Sequence, residues 1–121
     1  MNSVLLRGLS AARLLRMPVF AAIAAGLVVG TALGAGPYII SQKNRQFQPG
    51  EVTLRRGEVL RIINDDGQLI HHAYLTTEKF SFDSGDQQPG SHYDVVFPVT
   101  GTFTILCAIH PKMRLVVDVK E

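Results

Sequence analysis

The chain contains a single cysteine, so an internal disulfide is excluded, and with it a disulfide framework. One cysteine also excludes the C-x-x-C-H attachment of a c-type haem and the two-cysteine binuclear copper centres of oxidase subunits. After the first 40 residues there is no Lys/Arg cluster with interleaved aromatic residues, so we expect no nucleic-acid binding. No segment of that part has a convincing helical period, and no internal repeat is visible.

The first 40 residues lack acidic side chains and carry three arginines, followed by the uncharged and mainly apolar run 17–40. About 20 apolar residues can cross a bilayer as a helix, whereas the small residues at 32–36 would suit a signal peptidase. We therefore expect 1–40 to be a hydrophobic helix, either a signal peptide or a transmembrane anchor, with membrane contact through 17–40. Because arginines beside a membrane-inserted segment stay on the cytoplasmic side, we expect the part of the chain after residue 40 to lie on the periplasmic side of the cytoplasmic membrane, either anchored or secreted.

The rest of the chain alternates apolar and polar residues in short runs that are separated by glycine, proline and aspartate turns. In the run 102–107, for example, Phe103, Ile105 and Cys107 share one face, and the run 113–119 alternates in the same way. A period of two with frequent turn residues predicts an all-β sandwich or barrel. We expect a polar linker at 41–46 and one β domain at 47–121.

The segment CAIHPKM, residues 107–113, places three potential metal ligands close together. Cys107 ends one predicted strand, Met113 begins the next, and His110 lies in the middle of the tight loop between them. Such a loop can direct a thiolate, an imidazole and a thioether at one point. Two histidines and a cysteine with a weak axial methionine form the blue-copper electron-transfer site. The loop therefore predicts copper and requires a second histidine, for which His71, 36 residues before the cysteine, is the candidate.

The motif C-x-x-H-x-x-M, preceded by N-x-D and H-x-A, resembles the cupredoxin family and is most similar to its amicyanin and plastocyanin branch. That branch includes plastocyanin-like proteins labelled methylamine utilisation proteins. The resemblance extends over about 47–119 and rests on FQPGEVTLRRGEVLRIINDD, IHHAYL, FDSGDQQPG and FPVTGTFTILCAIHPKM. It implies a Greek-key β-sandwich, one type 1 copper that alternates between Cu(I) and Cu(II), and single-electron transfer. It also implies His71, Cys107 and His110 as equatorial ligands and Met113 as the axial ligand.

The sequence departs from the family pattern beside the upstream histidine. Family members often have Asn directly after this ligand, where it ties the two ligand loops together, but this chain has His72. The spacing from Asn64 to His71 is also one residue longer than in the plastocyanin pattern. His72 is therefore an alternative ligand, although strand alternation favours His71 as the inward-facing residue. We expect Asn64 to shape the loop by local hydrogen bonds, and we interpret Asp65 and Asp66 as a turn before a strand.

These features together predict a one-electron carrier, not an enzyme, that works between redox partner proteins outside the cytoplasmic membrane. A catalytic pair of Cys107 and His110 would need a third orienting group, for which the sequence offers no motif. We expect partners to dock transiently near His110, where Lys112 and Arg114 favour an acidic surface. One alternative is a copper-binding or copper-delivery protein without redox turnover. Another is an accessory subunit of a membrane complex, which the small residues at four-residue spacing in 22–34 would favour.

Overall fold

The structure, a computed structural model, describes residues 36–121. This part of the chain consists of nine β-strands with connecting turns. The strands are β1 (Tyr38–Lys43), β2 (Gln46–Gln48), β3 (Glu51–Arg55), β4 (Val59–Asn64), β5 (Ala73–Thr76), β6 (Ser81–Asp83), β7 (His92–Val96), β8 (Gly101–Cys107) and β9 (Arg114–Lys120). Among the described residues, no helix is long and apolar enough to cross a membrane. The predicted N-terminal hydrophobic helix lies outside this range and stays a prediction.

The strands form two sheets, which confirms the all-β prediction. One sheet has the order β2-β1-β4-β7, and the other has the order β3-β9-β8-β5-β6. Strands β1 and β4 run parallel, as do β3 and β9, while the remaining neighbours are antiparallel. Each sheet therefore combines strands that are distant in sequence. The loops that meet at either end of the sandwich thus come from separate parts of the chain.

One core fills the space between the sheets, because alternate residues of the strands point inward. In β8 and β9 the buried side chains are Phe103, Ile105, Cys107, Leu115, Val117 and Val119. The buried hydrophobic residues of the whole described part extend from Ile40 to Val119 and form a single cluster. Residues 36–121 thus contain a complete core of their own, and we expect this fragment to fold independently.

The sandwich begins earlier than the sequence analysis placed it. Residues 38–40, assigned to the leader, and 41–43, assigned to the linker, together form β1. This strand pairs with β4 from Tyr38 opposite Leu60 to Gln42 opposite Asn64, and its Ile40 is fully buried. Within the predicted linker 41–46, residues 41–43 thus belong to β1, and Gln46 begins β2. A strand that continues directly from an apolar run has the same composition as that run, so hydropathy shows no boundary between them.

The β1–β2 turn brings polar backbone to the end of the sandwich where Asn64 lies. Asn44 and Arg45 both have positive φ angles, 54° and 55°, as expected for a two-residue hairpin turn whose twist matches that of its strands. Because Gln42 is paired with Asn64, the turn lies beside the loop that leaves β4. That loop leads to His71.

Candidate metal centre

Two neighbouring strands position the proposed ligands. Strand β8 ends at Cys107, which lies opposite Ala73 of β5, so His71 lies just before β5 at the same end of the sheet. His110 follows Cys107 in the loop to β9. Among residues 36–121, these three form a group whose ligand atoms all lie within 4.8 Å of one another. The structure therefore brings together the three side chains that the sequence analysis selected as equatorial ligands.

The distances between the donor atoms fit one metal ion. The Sγ atom of Cys107 lies 3.9 Å from Nδ1 of His71 and 3.8 Å from Nδ1 of His110, and the two Nδ1 atoms are 3.2 Å apart. With ordinary metal–nitrogen and metal–thiolate bond lengths, a trigonal site has N–N edges of about 3.5 Å and N–S edges of about 3.8 Å. Two imidazoles and a thiolate also form the donor set that copper prefers. The residues present thus fit a type 1 copper in both geometry and chemistry.

Met113 occupies the position between the ligand loop and β9. It is buried in the same core cluster as Cys107. Its backbone N–H donates to the carbonyl of His110 at 2.9 Å, which closes the loop into a tight turn. The Met113 side chain is therefore buried in the core beside the loop, and its role as axial ligand stays a prediction.

His71 is fully buried and fixed from several directions. Its backbone forms an isolated bridge with Gln87, with N–H to carbonyl distances of 3.2 and 2.7 Å. Its Nε2 lies 2.5 Å from Oδ2 of Asp66. The Asp66 carboxylate accepts a hydrogen bond from the Nε2–H, so Nδ1 keeps its lone pair and faces Cys107.

The sequence analysis missed the role of Asp66, which it interpreted as part of a turn. Burial favours the neutral acid, but hydrogen bonds from His71 and from the Asn44 backbone outweigh it, so the pKa of Asp66 is lowered. Asp66 is the last residue of the N-x-D pattern that the sequence analysis noted. Adjacent carboxylates in a turn have the same composition whether or not one of them contacts a histidine, so spacing alone did not reveal it.

His72 lies outside the donor group. Its ring nitrogens contact Asp83 at 2.6 Å and Asp86 at 3.0 Å, on the outer side of β5. Burial opposes the charged imidazolium, but the two hydrogen-bonded carboxylates favour it more strongly and raise the pKa of His72. Backbone groups join the two ligand loops: His72 N–H donates to Cys107 Sγ at 3.4 Å, and Ala108 N–H donates to the His72 carbonyl at 2.9 Å.

Asn64 shapes the loop before His71 through three hydrogen bonds. Its Nδ2 donates to the carbonyls of Leu69 and Gln87, both at 2.8 Å, and its Oδ1 accepts the backbone N–H of Asp66 at 3.0 Å. Gln87 adds a second buried amide to this network, which the sequence analysis did not find. A single glutamine in a polar segment carries no pattern that distinguishes it from an exposed one.

His110 is the ligand candidate that reaches the surface. It is partly buried and lines an open groove between the β1–β2 turn and its own loop. The groove is lined by Asn44, Arg45, Gln46, Ile109, His110, Pro111 and Lys112. Burial is the largest cause that lowers the pKa of His110, and the positive charge of Arg45 adds to it. The ring is therefore neutral at neutral pH and has a lone pair to offer a metal.

Comparison with known proteins supports the fold. The sequence matches no protein-family model and no curated protein sequence. Its structure resembles a Cu-containing nitrite reductase (NirK) from Thermus scotoductus SA-01, with a TM-score of 0.67 and 22% identity. That alignment covers 74% of this chain and 23% of the reductase, so the chain spans about a quarter of that protein.

The structure also resembles amicyanin. A Cu(I) form and an oxidised form of two amicyanin variants each give a TM-score of 0.65 at 18% identity, over 74% of this chain and 87% of theirs. Identities this low establish the fold alone. The described part of the chain therefore has a cupredoxin fold, and its His-Cys-His group fits the type 1 copper site.

Proposed function

We propose that the chain is a type 1 copper protein that carries single electrons between partner proteins. The observation that supports this most directly is the convergence of two imidazole Nδ1 atoms and one thiol within 4.8 Å, at one end of a cupredoxin fold. Bound copper would supply the one-electron Cu(II)/Cu(I) couple. His71, Cys107 and His110 would hold it, with Met113 as the weak axial ligand.

The chain's own residues provide a site suited to a carrier. Cys107 is buried, and the His72 N–H donates to its sulfur, which stabilises the thiolate. His71 is locked by Gln87 and Asp66, so the donors are held by the scaffold rather than by the metal. A site fixed in this way needs little rearrangement when its charge changes by one, which favours rapid electron exchange.

The groove at His110 is the proposed docking surface for redox partners. Ile109, 44% exposed, gives it a small apolar area beside the one ligand candidate that reaches the surface. Arg45 and Lys112 add two positive charges to its lining. Small patches suit brief encounters, and the basic lining favours a partner with an acidic surface.

We also propose that the protein works outside the cytoplasmic membrane, on the periplasmic side, whether anchored or secreted. The arginines before the apolar leader support this orientation. A pull-down with the full chain, compared with fragment 36–121, would test the accessory-subunit alternative. Partners captured only by the full chain would favour that alternative.

The decisive experiment adds Cu(II) to fragment 36–121 and measures its visible spectrum. We expect the intense thiolate-to-copper charge-transfer absorption of a blue protein, and its loss in Cys107→Ala. His92→Ala is the matched control, because His92 is exposed on β7 and should leave the colour unchanged. A colourless wild type, or a Cys107→Ala variant that is equally blue, would contradict the proposal. Reversible one-electron voltammetry then distinguishes a carrier from a copper-delivery protein.

A further inference from the structure

We infer that Asp66 is a positioning residue that sets the orientation of His71 and lowers the reduction potential of the copper centre. This inference rests on the proposed function. Its physical basis is the contact between Asp66 Oδ2 and His71 Nε2, 2.5 Å long, on the side of the ring that faces away from Cys107. The histidine is fully buried, and the carboxylate side chain is only 10% exposed.

The carboxylate of Asp66 is itself held in place. Oδ2 contacts His71, while Oδ1 accepts the backbone N–H of Asn44 at 3.0 Å. The backbone N–H of Asp66 donates to Asn64 Oδ1. With both oxygens and the main chain engaged, the side chain cannot rotate away without breaking bonds to two other segments. The β1–β2 turn and the end of β4 thus hold the negatively charged Asp66 carboxylate against Nε2 of His71, on the side of the ring opposite Nδ1.

The consequence for His71 follows from its two ring nitrogens. A carboxylate that accepts a hydrogen bond from Nε2–H leaves Nδ1 as the lone-pair nitrogen, and Nδ1 is the atom that faces Cys107. Hydrogen bonding to a carboxylate also makes an imidazole a stronger donor to a metal. The stronger donation and the negative charge of the carboxylate both favour the more positively charged oxidation state.

Asp66→Asn removes the charge, while its amide oxygen can still accept the hydrogen bond from the His71 Nε2–H. The amide NH2 cannot accept the Asn44 N–H, so that bond is lost as well. In copper-loaded fragment 36–121, we expect this variant to stay blue. We expect the equilibrium between oxidised and reduced copper to shift about tenfold toward the reduced state, which corresponds to a potential about 59 mV higher for one electron. Such a shift is reasonable for a buried charge one imidazole ring away from the centre.

Asp65→Asn is the matched control. Asp65 is the neighbouring residue in the same turn, it is exposed, and its replacement removes the same charge. We expect it to change the potential far less. If both variants shift the potential equally, or if Asp66→Asn leaves it unchanged, the tuning role is wrong.

A metal-free measurement keeps this inference distinguishable from the proposed function. Nitrogen-15 NMR of apo fragment 36–121 should show His71 protonated at Nε2 only, and Asp66→Ala should yield a mixture of tautomers. Protonation of His71 at Nδ1 in the wild type would overturn the positioning role whether or not copper binds. A colourless wild type with His71 protonated at Nε2 would refute copper tuning together with the proposed function, and would leave the positioning role supported.

Discussion

Replacing Asn64 with alanine tests how the loop that carries His71 is held. In the wild type, the Asn64 amide satisfies the carbonyls of Leu69 and Gln87, and its oxygen accepts the N–H of Asp66. The variant removes all three bonds. The backbone bonds of residue 64 to Gly90 and Ser91 do not depend on its side chain, so β4 itself should remain intact.

The expected loss of stability can be estimated bond by bond. A typical net hydrogen bond contributes about 1 kcal/mol, and leaving a buried polar group without a partner costs about 1–3 kcal/mol. The carbonyl of Gln87 retains one bond, from the His71 N–H, and Leu69 is only half-buried, so water can partly replace its lost donor. We therefore expect a decrease of about 2–4 kcal/mol in the free energy of unfolding, a large share of the about 5–15 kcal/mol of an ordinary domain.

Urea unfolding of metal-free fragment 36–121 measures this difference. With a slope of about 1–2 kcal/mol per molar urea, the midpoint should fall by about 2 M. Gln88→Ala is the control, because Gln88 is exposed and its replacement should cost less than about 0.5 kcal/mol. A decrease below about 1 kcal/mol in Asn64→Ala would show that the network does not hold the loop, and the argument for a prearranged His71 would fail.

Three further predictions address the ligand set, the outer side of β5 and the start of the sandwich. Met113→Leu should keep the blue colour but change the reduction potential in voltammetry; loss of copper binding would contradict its axial role. His72 has a raised pKa, so its ion pairs stabilise the fold fully below its unfolded pKa of about 6.5 and progressively less as the pH rises through the folded value. His72→Ala should therefore cost more stability in urea at pH 6 than at pH 9, and equal costs would refute this. A fragment that begins at Ser41 lacks buried Ile40 and should be less stable by at least about 2 kcal/mol, whereas equal midpoints would show that β1 contributes little.

The sequence predicted the strands best where one face is buried and the other is exposed. Strand β9, and strand β8 from Thr102 onward, show strict alternation of buried and exposed or half-buried residues, and their inward faces were predicted correctly. Strand β1 was missed because it follows an apolar run without a break and because its buried Gln42 looks like a surface residue. A period-two pattern of apolar residues does not identify the buried face of a strand where a polar residue is buried by a hydrogen bond to another polar residue, as Gln42 is to Gln87.

The candidate site was predictable where its residues are chemically distinctive. A lone cysteine with His110 and Met113 at three-residue steps indicates a metal loop, and the structure groups Cys107 with the two predicted histidines. The surrounding contacts were not predictable, because they join segments that are distant in sequence. Asp66 contacts Asn44 across 22 residues, and Gln87 contacts Gln42 across 45 residues. Such pairs depend on strand order, which the sequence did not reveal.

The direction of β1 determines at which residues fragment 36–121 can be immobilised or fused without covering the His110 groove. Tyr38 starts the strand beside the C-terminal Glu121, while the turn at Asn44 borders the His110 groove. The six residues of β1 span roughly 17 Å. Tyr38 and Glu121 therefore lie at the end of the sandwich opposite the His110 groove. An affinity tag, a fused domain or a bead linked at residue 36 or at residue 121 of fragment 36–121 would therefore leave the groove open to molecules arriving from solution.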